Sequence, residues 1–88
     1  MIHDTIQTAV VALTRSSGPD AQHLGQLIQD IHTALKSSSI TTDEFNELIR
    51  NVETTRQIVV NADDIILNRQ IHDAILALIE LAKIAKPL

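Results

Sequence analysis

A chain of 88 residues has room for one domain and one core, and 44% hydrophobic against 20% charged residues is the composition of a globular protein rather than a disordered one. A net charge of −4 with no run of Lys or Arg excludes nucleic-acid binding through a basic face, because a phosphate backbone needs a cationic footprint. The lack of cysteine excludes disulfides, thiolate metal sites and cysteine nucleophiles.

The opening MIHDTIQTAV has no basic stretch followed by an apolar run, so no signal peptide is expected there. The longest uninterrupted apolar run, Ala74 to Ile79, is far short of the ~20 residues that span a bilayer. The expectation is a cytoplasmic protein that does not engage a membrane. Ile2, Ile6, Ala9, Val10 and Leu13 recur at steps of three and four, which predicts a first helix near 2–15. SSGPD at 16–20 stops it, with Gly18 suited to a left-handed position after the helix and Pro19 to the first turn of the next. Ala21, Leu24, Ile28, Ile31 and Leu35 form a second stripe, near 19–37, which KSSS ends.

The clearest local signal is ITTDEF, residues 40–45. Thr41 and Glu44 have the spacing of a capping box, and Ile40 and Phe45 flank it as a hydrophobic staple, so the third helix starts at Thr42 and runs to about 60. Its stripe is Phe45, Leu48, Ile49, Val52 and Val59. Around NADD, 61–64, this stripe loses phase with the next one, Leu67, Ile71, Ala74, Leu78, Leu81 and Ala85. Either one long helix bends there or a turn divides two helices. A turn is favoured, with Asn61 as a left-handed stop and Asp63 as the cap of a fourth helix near 64–85.

Four stripes with short connections predict an all-α fold, a small antiparallel helical bundle over 1–88 in which sequential helices lie side by side. The last helix is unusually apolar: ten of the thirteen residues in DAILALIELAKIA, 73–85, are apolar. On a wheel its apolar positions from Ile66 to Ala82 cover roughly 220°, against ~100° for a helix facing one core. It is either a central helix wrapped by three neighbours, or it meets a second copy or a partner helix. A homo-oligomer, most simply a dimer, is the favoured expectation, with Ile66, Ile75, Ile79 and Ala82 in the interface.

Chemistry is harder to find. Metal sites in bundles want Glu-x-x-His or two histidines four apart, and neither occurs, so no metal or other cofactor is expected. Glu44 and Glu47 form an E-x-x-E pair like the Mg²⁺-binding element of all-helical nucleotide pyrophosphohydrolases, but the second acidic pair those enzymes need is missing, and Glu44 is better explained as the capping acid. No phosphate loop and no nucleophile motif is present, so no catalytic residue is assigned. If the helices alternate up and down, Arg15, His23, Arg56 and Arg69 share one pole, while Lys36, Lys83 and Lys86 gather at the other. Arg56 lies inside an apolar stripe, among Val52, Val59 and Val60. A snorkelling arginine at a helix C-terminus, paired with Asp20, Asp63 or Asp64, accounts for this, and so does a site for an external anion. The sequence therefore suggests a non-enzymatic binding protein, a homo-oligomer acting as adaptor or inhibitor of a protein partner. The alternative is an oligomer that sequesters a small anionic ligand such as a nucleotide.

Overall fold

The computed structural model describes residues 2–15, 18–61 and 63–85. Four helices follow one another: α1 (Ile2–Thr14), α2 (Pro19–Lys36), α3 (Thr42–Val59) and α4 (Ile65–Ala85). No strand occurs among the described residues, and each boundary falls within a residue of the predicted range. Ser16, Ser17, Ala62 and Lys86, and the side chain of Ala85, lie outside what is described.

The helix ends show which local chemistry sets them. Thr41 accepts a hydrogen bond from the Glu44 backbone N–H at 3.1 Å, and the Glu44 carboxylate accepts one from the Thr41 N–H at 3.0 Å, closing the capping box. The Thr41 backbone and then its hydroxyl hold the Glu44 carboxyl below its ordinary value. Ile40 and Phe45 are both buried, as a staple requires. At the other junctions the structure corrects the reading. Gly18 is extended (φ −85°, ψ 131°) and not left-handed; it is the N-cap of α2, its carbonyl accepting from Gln22 N–H, and Pro19 fills the first turn behind it. The residue with positive φ is Ser38, at 52°. It closes α2, with Ser38 N–H donating to the Leu35 carbonyl and Ser39 N–H to that of Ala34, the two bonds of a Schellman ending. Between α3 and α4, the Asn61 side chain accepts from Asp63 N–H, so the chain is still turning at 63. The cap falls one residue later than expected, on Asp64, whose carboxylate accepts from Leu67 N–H at 3.0 Å.

Packing is uneven. Short α1 lies against both α2 and α4, α2 also touches α4, and α3 packs on α2. The expectation that sequential helices lie side by side fails at the last pair, since α3 and α4 share no comparable interface. The reason is the thinness of the α3 stripe: only Phe45 and Val52 are buried on it, while Leu48, Ile49 and Val59 are half-buried. Eight of the nine largest fully buried side chains belong to α1, α2 and α4, and Val52 is α3's one contribution. The core is thus a three-helix core with α3 attached to one side, and α4 is wrapped by two neighbours rather than three.

The α1–α2 seam is antiparallel and tight. A Cβ at Gly25 would stand 3.0 Å from the Cβ of Leu13 and 3.0 Å from the Thr14 methyl, so glycine sets the helix spacing there. At the far end, His3 Nδ1 and His32 Nε2 are 2.7 Å apart. His32 is 4% exposed, and its Nδ1 is buried with no partner among the described residues. One proton lies between the rings, and a neutral pair carries one more. A third proton would have to reach the orphan Nδ1 of His32, where no acceptor waits. Burial lowers the His32 pKa, and the charges of Lys36 and His3 add to the effect.

Three outcomes follow from this scaffold. Thr41→Ala should destabilise by about 1 kcal/mol in chemical denaturation, through loss of the cap, and more than Thr54→Ala on the exposed face of α3. Gly25→Ala should also destabilise, by roughly 1–3 kcal/mol, because overpacking the seam outweighs the helix propensity gained. Because the folded pKa of His32 lies below its unfolded value near 6.5, the unfolded chain binds more protons in the window just below that value. Stability should hold in full above about pH 6.5 and fall as pH drops through the folded pKa, and His32→Leu should flatten that slope in melts across pH.

Candidate functional site

The last turn of α3 and the first turns of α4 border an open groove of about 460 Å³, lined by Arg56, Ile65, Asn68, Arg69 and His72. Ile65, Arg69 and His72 fall at i, i+4 and i+7, which places them on one face of α4. Arg56 is half-buried at the end of α3, near carbonyls whose partial negative charge its guanidinium complements. Among the described residues no carboxylate lines this groove. Asp64, next to Ile65 in sequence, holds the N-cap of α4, and Asp73, next to His72, lines a separate groove beside α1. Among the described residues neither Arg56 nor Arg69 forms an ion pair. The Asn68 amide donates to the carbonyls of Asn61 and Asp64, at 3.0 Å each, and so fastens the turn below the groove.

Apolar surface surrounds these cations. Ile58, Ile65 and Ile66 are 78%, 75% and 74% exposed, an unusual state for isoleucines in a chain whose other apolar stripes are covered. Ile65 lines the groove with the two arginines and Ile66 follows it on α4, whereas Ile58, two residues beyond Arg56, faces another side of α3. Two further isolated apolar residues, Leu76 and Ile84, stand exposed further along α4.

The predicted site residues are partly gathered. Arg56 and Arg69 share the groove. Arg15 lies on a second, larger one of about 580 Å³ between α1 and α4, with Asp4 and Gln70 among its lining. His23 is exposed on α2 and lines neither. His72, Asn68 and Ile65 were missed by the sequence reading, although the spacing of Ile65, Arg69 and His72 was available to find them. The expected interface is divided. Ile66 is exposed and Ile79 half-buried, but Ile75 and Ala82 are buried within the chain, because α1 and α2 cover that side of α4. A third groove, of about 470 Å³, runs between the start of α1 and the middle of α4; Asp73 and Glu80 line it, with Ile2, Thr5, Leu76 and Ala77. Its charge is opposite to that of the Arg56–Arg69 groove.

Among the described residues no group of three or more His, Cys, Asp or Glu side chains converges on a point where a metal ion would sit, and no helix is long and apolar enough to cross a membrane. Comparison with known proteins finds no matching family model, no matching curated protein and no matching solved structure. The geometry of the α3–α4 corner is therefore what a functional reading has to start from.

Proposed function

We propose that this chain is a non-enzymatic binding protein, an adaptor or inhibitor, that docks an acidic segment bearing aliphatic side chains on the α3–α4 corner. The observation that carries the reading is the groove that Arg56 and Arg69, unpaired among the described residues, share with the exposed Ile65, next to which Ile66 is also exposed. A purely apolar ligand would leave the guanidiniums unused, and a bare anion would leave the isoleucines in water. A carboxylate matches the planar fork of arginine, while aliphatic groups beside it cover the isoleucines, the arrangement of a hot spot with a charged rim.

A small anionic ligand such as a nucleotide is the second reading, supported by the same pair of guanidiniums. The openness of the groove counts against it, since small-molecule sites enclose most of their ligand, and this one is a shallow corner between two helices.

The test is fluorescence anisotropy with a labelled helical peptide carrying Asp, Leu and Glu at i, i+3 and i+7. The wild-type chain should bind it and Arg56→Ala should weaken binding about tenfold, ~1.4 kcal/mol. The same substitution should lower the melting temperature only slightly, through the helix-end interaction lost, because among the described residues Arg56 pairs with no carboxylate. Replacing the peptide carboxylates with amides should abolish binding. A thermal shift with nucleotides that Arg56→Ala removes, without peptide binding, would decide for the second reading.

A further inference from the structure

The outer face of α4 carries both halves of a complementary pair. At 100° per residue, Ile65, Ile66, Arg69, Asp73, Leu76, Glu80 and Ile84 fall within an arc of roughly 100°. All seven are exposed, and α1 and α2 cover the opposite side of the helix. Along this arc Arg69 stands near the N-terminal end, Asp73 and Glu80 toward the middle and the C-terminal end, and Lys83, exposed as well, at the arc's edge beyond them. Asp73 and Glu80 flank Leu76 in the groove beside α1, so this segment has the chemistry that the α3–α4 corner selects for: carboxylates beside an aliphatic side chain, at i, i+3 and i+7.

We propose that the α4 outer face binds a second copy of this chain in an antiparallel, two-fold pairing that sets Arg69 of each copy against Glu80 of the other. The inference rests on the docking reading above and names the occupant of the Arg69 side of that surface. The register follows from the sequence. Arg69 and Glu80 are centred on the same point of the helix as Ile65 and Ile84, so a two-fold axis through that point brings each Ile65 to the Ile84 of the second copy as it forms the ion pairs. Leu76 lies close to the axis in both copies, and Ile66 lies along the aliphatic stem of Lys83 of the other. Every contact is made twice and the surface closes on itself, which ends the assembly at two. A parallel two-fold pairing would also close at two, but it sets Arg69 against Arg69 and Glu80 against Glu80.

Charge reversal tests this directly, with sedimentation equilibrium as the readout. Wild type should move toward twice the 9.7 kDa of one chain as its concentration is raised. Arg69→Glu and Glu80→Arg should each weaken the dimer about tenfold or more, by turning two attractive pairs into two repulsive ones. An equimolar mixture of the two variants should form a heterodimer, because both pairs are then attractive again, one in its native sense and one with its signs exchanged, and the double variant R69E/E80R, with both pairs reversed, should dimerise again by itself. Both positions are exposed, and melting curves of the separate variants verify that they fold. Wild type that stays at the mass of one chain overturns the pairing, as does a dimer indifferent to both reversals. If that monomer still binds the acidic peptide through Arg56, which lies outside the α4 arc, the docking reading stands and only the self-pairing falls. If dimers form and rescue as described but Arg56→Ala does not alter peptide binding, the pairing stands without the wider reading.

Discussion

A helix of thirteen residues has to serve two neighbours, and the rest of the molecule is arranged around that constraint. α1 buries Ile6, Ala9, Val10 and Leu13, and divides this stripe between α2 and α4. Nothing is left over to hold α3, which depends on α2 alone. Phe45 and Val52 fix α3 there, and its last turn diverges from the start of α4. The α3–α4 corner is open for that reason, and the exposed Ile65 lines it beside two arginines.

The α1–α2 seam is held differently at its two ends. At one end Gly25 permits backbone-level approach to Leu13 and Thr14, and dispersion gains there depend on the absence of a single methyl group. At the other, a hydrogen bond between two imidazoles joins the helices. The first is indifferent to pH and the second is not, because the orphan Nδ1 of His32 leaves no place for a further proton. Lys36, one turn further along α2, adds to the cost of charge at that end.

Much of this fold was legible wherever the determinant was local. The capping box, the staple and the apolar stripes depend on residues within a turn of one another, and Thr41, Glu44, Ile40 and Phe45 behave as their spacing demands. Less was legible where two local devices competed. Gly18 suits either a left-handed stop or an N-cap, and Pro19 behind it decides for the cap; Asp63 and Asp64 are both competent caps, and the Asn61 side chain decides between them by claiming the Asp63 N–H. The site was legible only in part. That the ends of α3 and α4 share a pole follows from alternation, and so Arg56 and Arg69 meet. Which side of α4 faces its neighbours does not follow from hydrophobicity, because the helix is apolar on both sides: Ile75 and Ala82 are buried while Ile65, Ile66 and Ile84 are exposed. That distinction is tertiary, set by where α1 and α2 lie.

The exposed aliphatics bear on how strong any association through α4 would be. Covering a half- to three-quarters-exposed isoleucine or leucine contributes about 1–2 kcal/mol, and a two-fold pairing covers Ile65, Ile66, Leu76 and Ile84 twice over. The gross gain of ~8–16 kcal/mol is of the same order as the ~4–15 kcal/mol lost in rigid-body freedom on association. The apolar term thus brings two copies near the point of balance without fixing how they meet. Arg69 and Glu80 are solvent-exposed, and an exposed pair is worth only ~0.2–1 kcal/mol, too little to drive binding. Near balance, however, that amount changes occupancy severalfold, and the penalty for setting like charges together has the opposite sign. The isoleucines would supply the affinity and the ions the register. A surface so composed is reversible, and its cationic corner can be contested by other acidic segments.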